Sequence, residues 1–216
     1  MIKTVIFDMD GTLIDTEKYY RECWPKAMAA FGFEMSDAQA LEMRSMGRPF
    51  APIHLKKVFG ESLDYHQVRN KRKELVEECI RERGIQLKPG AIEILQWLRE
   101  NQIPAAVATA TDMERTERYL KMLGIYEYFD RLISATMVAE GKPSPDIYLY
   151  ACAEMGMEPG DCIAVEDSPN GVKSAYRAGC KVVMVPDQSR PDAELEKMLY
   201  ACVDNLNDLR KISVDN

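Results

Sequence analysis

The sequence predicts an α/β protein in which a parallel sheet carries helices on both faces and a helical segment is inserted after the first strand. Three observations predict it. Val5-Ile6-Phe7 is a short apolar run that ends in two acids one residue apart, the pattern of a buried strand. From about residue 89 onward, strand-like and helix-like stretches alternate, as they do in sheets built from crossover units. Between these two regions, residues 16 to about 84 contain no convincing strand.

The first strand runs into Asp8-Met9-Asp10-Gly11-Thr12, and a pleated chain sends Asp8 and Asp10 to the same face. Tyr20, Cys23, Trp24, Ala27, Met28 and Phe31 then step through the offsets of a wide apolar helical face that ends at Gly32. Shorter helices are predicted around 38–43 and 52–58, and a longer one over 65–83 with Val68, Leu75, Val76 and Cys79 on one side. This segment reads as a small bundle packed on itself, entered near Asp15 and left near Pro89.

Ala91, Ile94, Leu95 and Leu98 then make an amphipathic helix, and Ala105 to Ala108 a strand that runs into Thr109-Ala110-Thr111. A helix over 113–123, a strand over 131–134 and a helix following Gly141-Lys142-Pro143 come next. Cys162 to Val165 is a strand ending in Glu166-Asp167, 169–178 is helical, and 181–185 is the last clear strand.

With 216 residues, 46% of them apolar and 29% charged, the chain can bury a sizeable core and has the composition of a soluble globular protein. The net charge of −7 argues against a general nucleic-acid binder and against attachment to anionic membranes. There is no apolar run of membrane-spanning length and no room for a signal peptide before the first strand, so a cytoplasmic location is expected. Nothing in the sequence demands more than a monomer. The six cysteines show no metal or redox spacing and read as core filler. Two histidines, His54 and His66, are too few for a histidine-based metal site.

Polar residues that core packing does not explain gather at three strand ends: Asp8 and Asp10, Thr109 and Thr111, Glu166 and Asp167. In a parallel sheet these ends lie along one edge, where ligands bind. Four carboxylates brought together there repel one another by about 4 kcal/mol per close pair, and the single lysine Lys142 cannot offset that. A hard divalent cation with oxygen ligands can, which points to Mg²⁺. Each signal also has a bland reading. Glu166-Asp167 would serve as a helix-capping pair, Lys142 as an exposed loop residue, and the threonines as strand-end caps. Their occurrence at successive strand ends, in this order, favours a site.

In that combination the chain resembles the haloacid-dehalogenase-like (HAD) phosphohydrolase superfamily. The residues that carry the likeness are D-x-D-G-T at 8–12, the strand-end hydroxyl of Thr109, the G-K-P-x-P-D lysine Lys142 and the acidic pair Glu166-Asp167. The likeness implies a Rossmann-like core over 1–15 and 89–216 and a helical C1-type cap over 16–88, as in the β-phosphoglucomutase-like subgroup. It also implies roles. Asp8 would be the nucleophile that forms an aspartyl-phosphate, and Asp10 the general acid and base. Thr109, Ala110 and Lys142 would bind the phosphoryl group, and Asp8, Asp10, Glu166 and Asp167 would hold Mg²⁺. Gly47 and Arg48 resemble the cap's specificity loop, with Arg48 available to a second anionic or hydroxylated part of the substrate.

The acid at position 10 speaks for C–O–P chemistry, since a halide leaving group needs no proton. A phosphatase acting on a small, sugar-phosphate-like metabolite is therefore expected. A β-phosphoglucomutase-like isomerase is the alternative, weakened by Tyr20, Phe50 and Met113 where the sugar phosphomutases carry histidine, arginine and asparagine. A non-catalytic phosphate-binding protein is a third reading. The basic run Arg69 to Lys73, followed by Glu74, Glu77 and Glu78, is expected to be a solvated helix face.

Overall fold

The alternation expected from the sequence is present in the computed structural model of the chain, which describes residues 3–214. Thr4–Phe7 forms β1, buried along its whole length because both faces of a parallel strand are covered. The chain then leaves the sheet for α1 (Glu17–Ala29), α2 (Asp37–Glu42), α3 (Phe50–Phe59) and α4 (Tyr65–Arg83). It returns through α5 (Ala91–Glu100), β2 (Ala105–Thr109), α6 (Met113–Met122), β3 (Arg131–Ser134), α7 (Asp146–Glu154), β4 (Cys162–Glu166), α8 (Pro169–Ala178) and β5 (Lys181–Met184). A two-residue strand, β6 (Ala201–Cys202), closes one edge.

The strand order is β3-β2-β1-β4-β5-β6, and every pairing is parallel. The order reverses between β1 and β4, which opens a crevice at their carboxyl ends. Phe7 lies level with Val165, so the acids that follow each strand emerge side by side.

Alternation along the strands builds a core on each face. Val5, Phe7, Val107, Ile163 and Val165 pack with Ile94 and Leu98 of α5 on one side. Ile6, Ala106, Ala108 and Ala164 pack with residues of α7 and α8 on the other. A third cluster, centred on Trp24, Met28, Leu55 and Val68, belongs to α1–α4 alone. The helical segment is not packed only on itself, however. Tyr19, Cys23, Val76 and Ile80, at the inner ends of α1 and α4, extend the sheet-side core.

The two crossings between sheet and helical segment run beside each other. Ile14 bridges Leu87, the Asp15 N–H donates to the Gln86 carbonyl at 2.9 Å, and the Lys88 N–H donates to the Leu13 carbonyl at 2.9 Å. The sequence reading stops at 181–185 and misses the short helices Ala193–Glu196 and Leu209–Val214 as well as β6, a half-exposed pair of residues that depends on Val183 and Met184 for its pairing. Five cysteines are buried and free, as core filler should be, and Cys202 is exposed on β6. No helix among the described residues is long and apolar enough to cross a membrane.

Candidate active site

Asp8 leaves β1 with its backbone N–H bound to the Val165 carbonyl at 2.9 Å, which ties the nucleophile candidate to β4. Gly11 follows at φ +87°, and a Cβ there would sit 2.6 Å from Asp167 Oδ2, so the turn after β1 can approach the β4 acids only as glycine.

Lys142 is fully buried at the centre of this arrangement. Its Nζ donates to Asp8 Oδ1 at 2.5 Å, Glu166 Oε1 at 2.6 Å and the Ala108 carbonyl at 3.0 Å, which uses all three ammonium protons. Burial alone favours the neutral amine, but Asp8 and Glu166 outweigh it and hold the lysine above its ordinary range. Tyr148 donates a second hydrogen bond to Glu166 Oε1 at 2.6 Å. Glu166 thus spends its inner oxygen on orienting the lysine.

Asp10 is gripped on both oxygens. Thr16 donates to Oδ1 at 2.6 Å, and Thr111 donates to Oδ2 at 2.7 Å. Thr16 stands at the N-cap of α1 yet makes no cap bond with its hydroxyl; it serves Asp10 instead. The Thr109 hydroxyl accepts from the Thr111 N–H at 3.0 Å and lies 3.4 Å from Asp10 Oδ2.

One oxygen each from Asp8, Glu166 and Asp167 lie within 4.8 Å of one another, all buried. Burial pushes the Asp8 carboxyl well above its usual range, opposed by Lys142 and reinforced by Glu166 and Asp167. Asp167 is pushed up likewise, by burial first, then by Glu17 and Glu166. Asp8 Oδ2 and Asp167 Oδ2 are buried with no hydrogen-bond partner among the described residues. Two bare carboxylate oxygens facing a cluster of acids are the donor set a hard divalent cation takes, so the residues fit the Mg²⁺ expected from the sequence. Arg44 leans on the same cluster, its Nη1 3.7 Å from Asp167 Oδ2.

These shifts carry a sign. Asp8, Glu17 and Asp167 bind protons more tightly folded than unfolded, so their contribution to stability is complete below their unfolded pKa values and is lost as pH rises through the raised ones. Thermal melts in EDTA are expected to fall as pH rises above the ordinary carboxylate range, with Mg²⁺ restoring most at the upper end. Melts independent of pH and of Mg²⁺ would contradict this reading of the cluster.

A cavity of about 330 Å³ opens in front of the strand ends, bordered by Asp8, Asp10, Ala110, Gly47 and Arg48. Thr109, Lys142, Glu166 and Asp167 stand behind that wall, close to the acids but away from the open space. Gly47 is stitched to the sheet side. Its N–H donates to the Lys142 carbonyl at 2.8 Å, and the Gly141 N–H donates to the Arg48 carbonyl at 2.7 Å. A Cβ on Gly47 would meet Gly141 Cα at 2.6 Å. Arg48 borders the cavity and also reaches across to the sheet side. Its Nη2 donates to the carbonyls of Val138 at 3.0 Å and Ala135 at 3.4 Å, so it fastens the loop to the strand ends.

Thr16, Glu17, Arg44 and Tyr148 were not singled out for the site. Their signal was faint, since buried polar residues beside helix starts are read first as caps.

The description haloacid dehalogenase-like hydrolase matches residues 2–179. The chain belongs to that family. Its HAD relatives include the phosphorylated carbohydrates phosphatase of Thermotoga maritima, 32% identical over 82% of this chain and 82% of the relative. The fructose-1-phosphate phosphatase YqaB of Escherichia coli is 31% identical over 84% of this chain and 95% of its own. Among solved structures, CbbY from Rhodobacter sphaeroides in complex with phosphate superposes with a TM-score of 0.79 at 27% identity, covering 97% of this chain and 96% of that one. The HAD fold and the phosphatase character expected from the strand-end motifs are thus matched by relatives along most of the chain.

Proposed function

We propose that the chain is a Mg²⁺-dependent phosphatase that hydrolyses a small, sugar-phosphate-like ester through an aspartyl-phosphate on Asp8. The observation that carries this reading is the pairing of two acids at the cavity floor in different states of engagement. Asp8 presents a bare oxygen beside a buried lysine, while both oxygens of Asp10 are held by threonine hydroxyls.

In this reading Asp8 attacks phosphorus in line, and Lys142 balances the charge shared between Asp8 and the phosphoryl group. Asp10 protonates the departing ester oxygen and then takes a proton from the water that cleaves the aspartyl-phosphate. The hydroxyls of Thr16 and Thr111 keep its carboxyl aimed through both steps. Thr109 turns its hydroxyl from Asp10 to a phosphoryl oxygen, and the Ala110 backbone lines the same approach. Asp8, Asp167 and the Asp10 carbonyl, with Glu166 close by, would hold Mg²⁺, which would supply further charge neutralisation. Helices α1–α4 act as a cap hinged at the paired crossings 13–15 and 86–88, and close through Gly47 and Arg48 to exclude bulk water.

Phosphate release from p-nitrophenyl phosphate with Mg²⁺ tests the reading, and inactivity across a broad panel of phosphate esters would defeat it. Asp10→Asn keeps the hydrogen-bonding shape but not the proton traffic. It is expected to lower kcat by roughly 10²–10⁴-fold on an alkyl phosphate, and by less on p-nitrophenyl phosphate, whose leaving group needs little protonation. Equal losses on both esters would contradict the acid role.

A phosphomutase is the second reading, favoured by one observation: Arg69 and Arg72 border the cavity without a carboxylate partner among the described residues. It predicts conversion of a hexose 1-phosphate to the 6-phosphate, dependent on a bisphosphate primer, with little free phosphate.

A further inference from the structure

The run Arg69 to Lys73 is only in part the solvated face expected from its sequence. Lys71 pairs with Glu74 in the open, whereas Arg69, Arg72 and Lys73 border the cavity. Residues three and four apart share a helix face, which places these three together on α4. From the sheet side α6 brings Arg115 to the same cavity.

The Arg72 guanidinium lies 4.4 Å from the ring centroid of Trp24 and 5.1 Å from that of Tyr20. Stacking on aromatic rings engages the faces of a guanidinium and leaves its edge N–H groups to donate. Yet the Arg72 side chain makes no hydrogen bond or ion pair among the described residues, and its Nε is buried without a partner. Burial accordingly pulls its pKa below the ordinary value. Arg115 pairs with Asp112 at 3.0 Å through Nε, but its Nη1 is buried and unpartnered. Asp112 is also the ion-pair partner of Lys73, at 3.2 Å. It is the only carboxylate among the described residues that pairs with any of the four cations.

Four cations served by one carboxylate, two of them with shielded and unused N–H donors, are a costly arrangement unless an anion completes it. Tyr20 links the cluster to the reacting end. The Arg72 guanidinium faces its ring, and Tyr20 borders the cavity together with Asp10 and Arg115. The cluster and the catalytic acid therefore border a single cavity. Arg48, the residue the sequence offered for a second anion, is engaged by backbone carbonyls.

We infer that Arg69, Arg72 and Arg115, with Lys73, receive a second anionic group of the substrate, so that the favoured esters carry a further phosphate or carboxylate besides the group that is cleaved. Both anions present paired oxygens suited to bidentate contact with arginine. The inference rests on the proposal that this cavity is the phosphatase site, and it names the substrate class.

Isothermal titration of the full chain carrying Asp8→Asn, with Mg²⁺ present, measures the preference without turnover. Two matched pairs of probes are used: fructose 1,6-bisphosphate against fructose 6-phosphate, and phosphoglycolate against ethyl phosphate. The doubly anionic member of at least one pair is expected to bind about tenfold to a hundredfold more tightly, and the pair that discriminates tells phosphate from carboxylate. Adding Arg72→Met is expected to bring that ratio close to one. Arg69→Gln, at a position with no hydrogen bond or ion pair to lose, serves the same purpose if Arg72→Met does not fold. Equal affinities within both pairs, or a ratio that neither substitution changes, would overturn the inference. Failure of the unsubstituted chain to release phosphate from any ester would strike the phosphatase reading alone.

Discussion

Asp8→Asn is expected to abolish phosphate release, with kcat falling by roughly 10⁴–10⁶-fold, as when a nucleophile is removed from an intact site. The substitution preserves size and hydrogen bonding toward Lys142 but removes the charge that attacks phosphorus. It also takes one charge out of a cluster in which Asp8, Glu166 and Asp167 crowd together. The folded protein should therefore be no less stable without metal, and should bind Mg²⁺ more weakly. This pairing of outcomes separates a nucleophile from a residue that merely supports the fold. Parallel assays of phosphate release, melting temperature and Mg²⁺ binding check it. Substantial residual activity would mean that water attacks the ester directly.

Lys142→Met is expected to damage both stability and activity. The ammonium is completely buried between Asp8 and Glu166 and has no water to replace it. Removing it leaves two acids facing each other with Tyr148 as the remaining donor to Glu166. Breaking a buried pair in this way costs about 3–5 kcal/mol, a drop of roughly 10 °C in melting temperature for a chain of this size. Lys142→Arg should not rescue it, because a planar fork cannot replace a compact ammonium whose three protons go to three separate acceptors. Thermal melts and phosphate release for both variants check the prediction. Native-like stability in Lys142→Met would show that the acids are neutral in the fold, leaving nothing for a cation to balance.

Much of this arrangement was legible in the sequence because it lies where chain direction alone fixes position. A strand that ends in acids delivers them to the carboxyl edge of a parallel sheet, so Asp8, Asp10, Thr109, Glu166 and Asp167 could be placed from periodicity and order. The helices at 65–83 and 169–178 were legible too, since each ends at a glycine and carries an apolar stripe. What the sequence withheld depends on side-chain direction. Arg48 and Arg72 look alike in a string of letters, yet one reaches backbone carbonyls and the other stacks on Trp24 with its donors unused. Thr16 is an ordinary cap residue until the turn of the chain after β1 brings Asp10 to its hydroxyl. The short strand β6 has too few residues to leave a period of its own.

The stereochemical course at phosphorus tests the central claim most directly. A thiophosphate ester made chiral by two oxygen isotopes is turned over once in water carrying the third, and the configuration of the released thiophosphate is read. Transfer to Asp8 followed by transfer to water is two in-line displacements, and the account predicts overall retention. Inversion, the mark of a single attack by water, would contradict it.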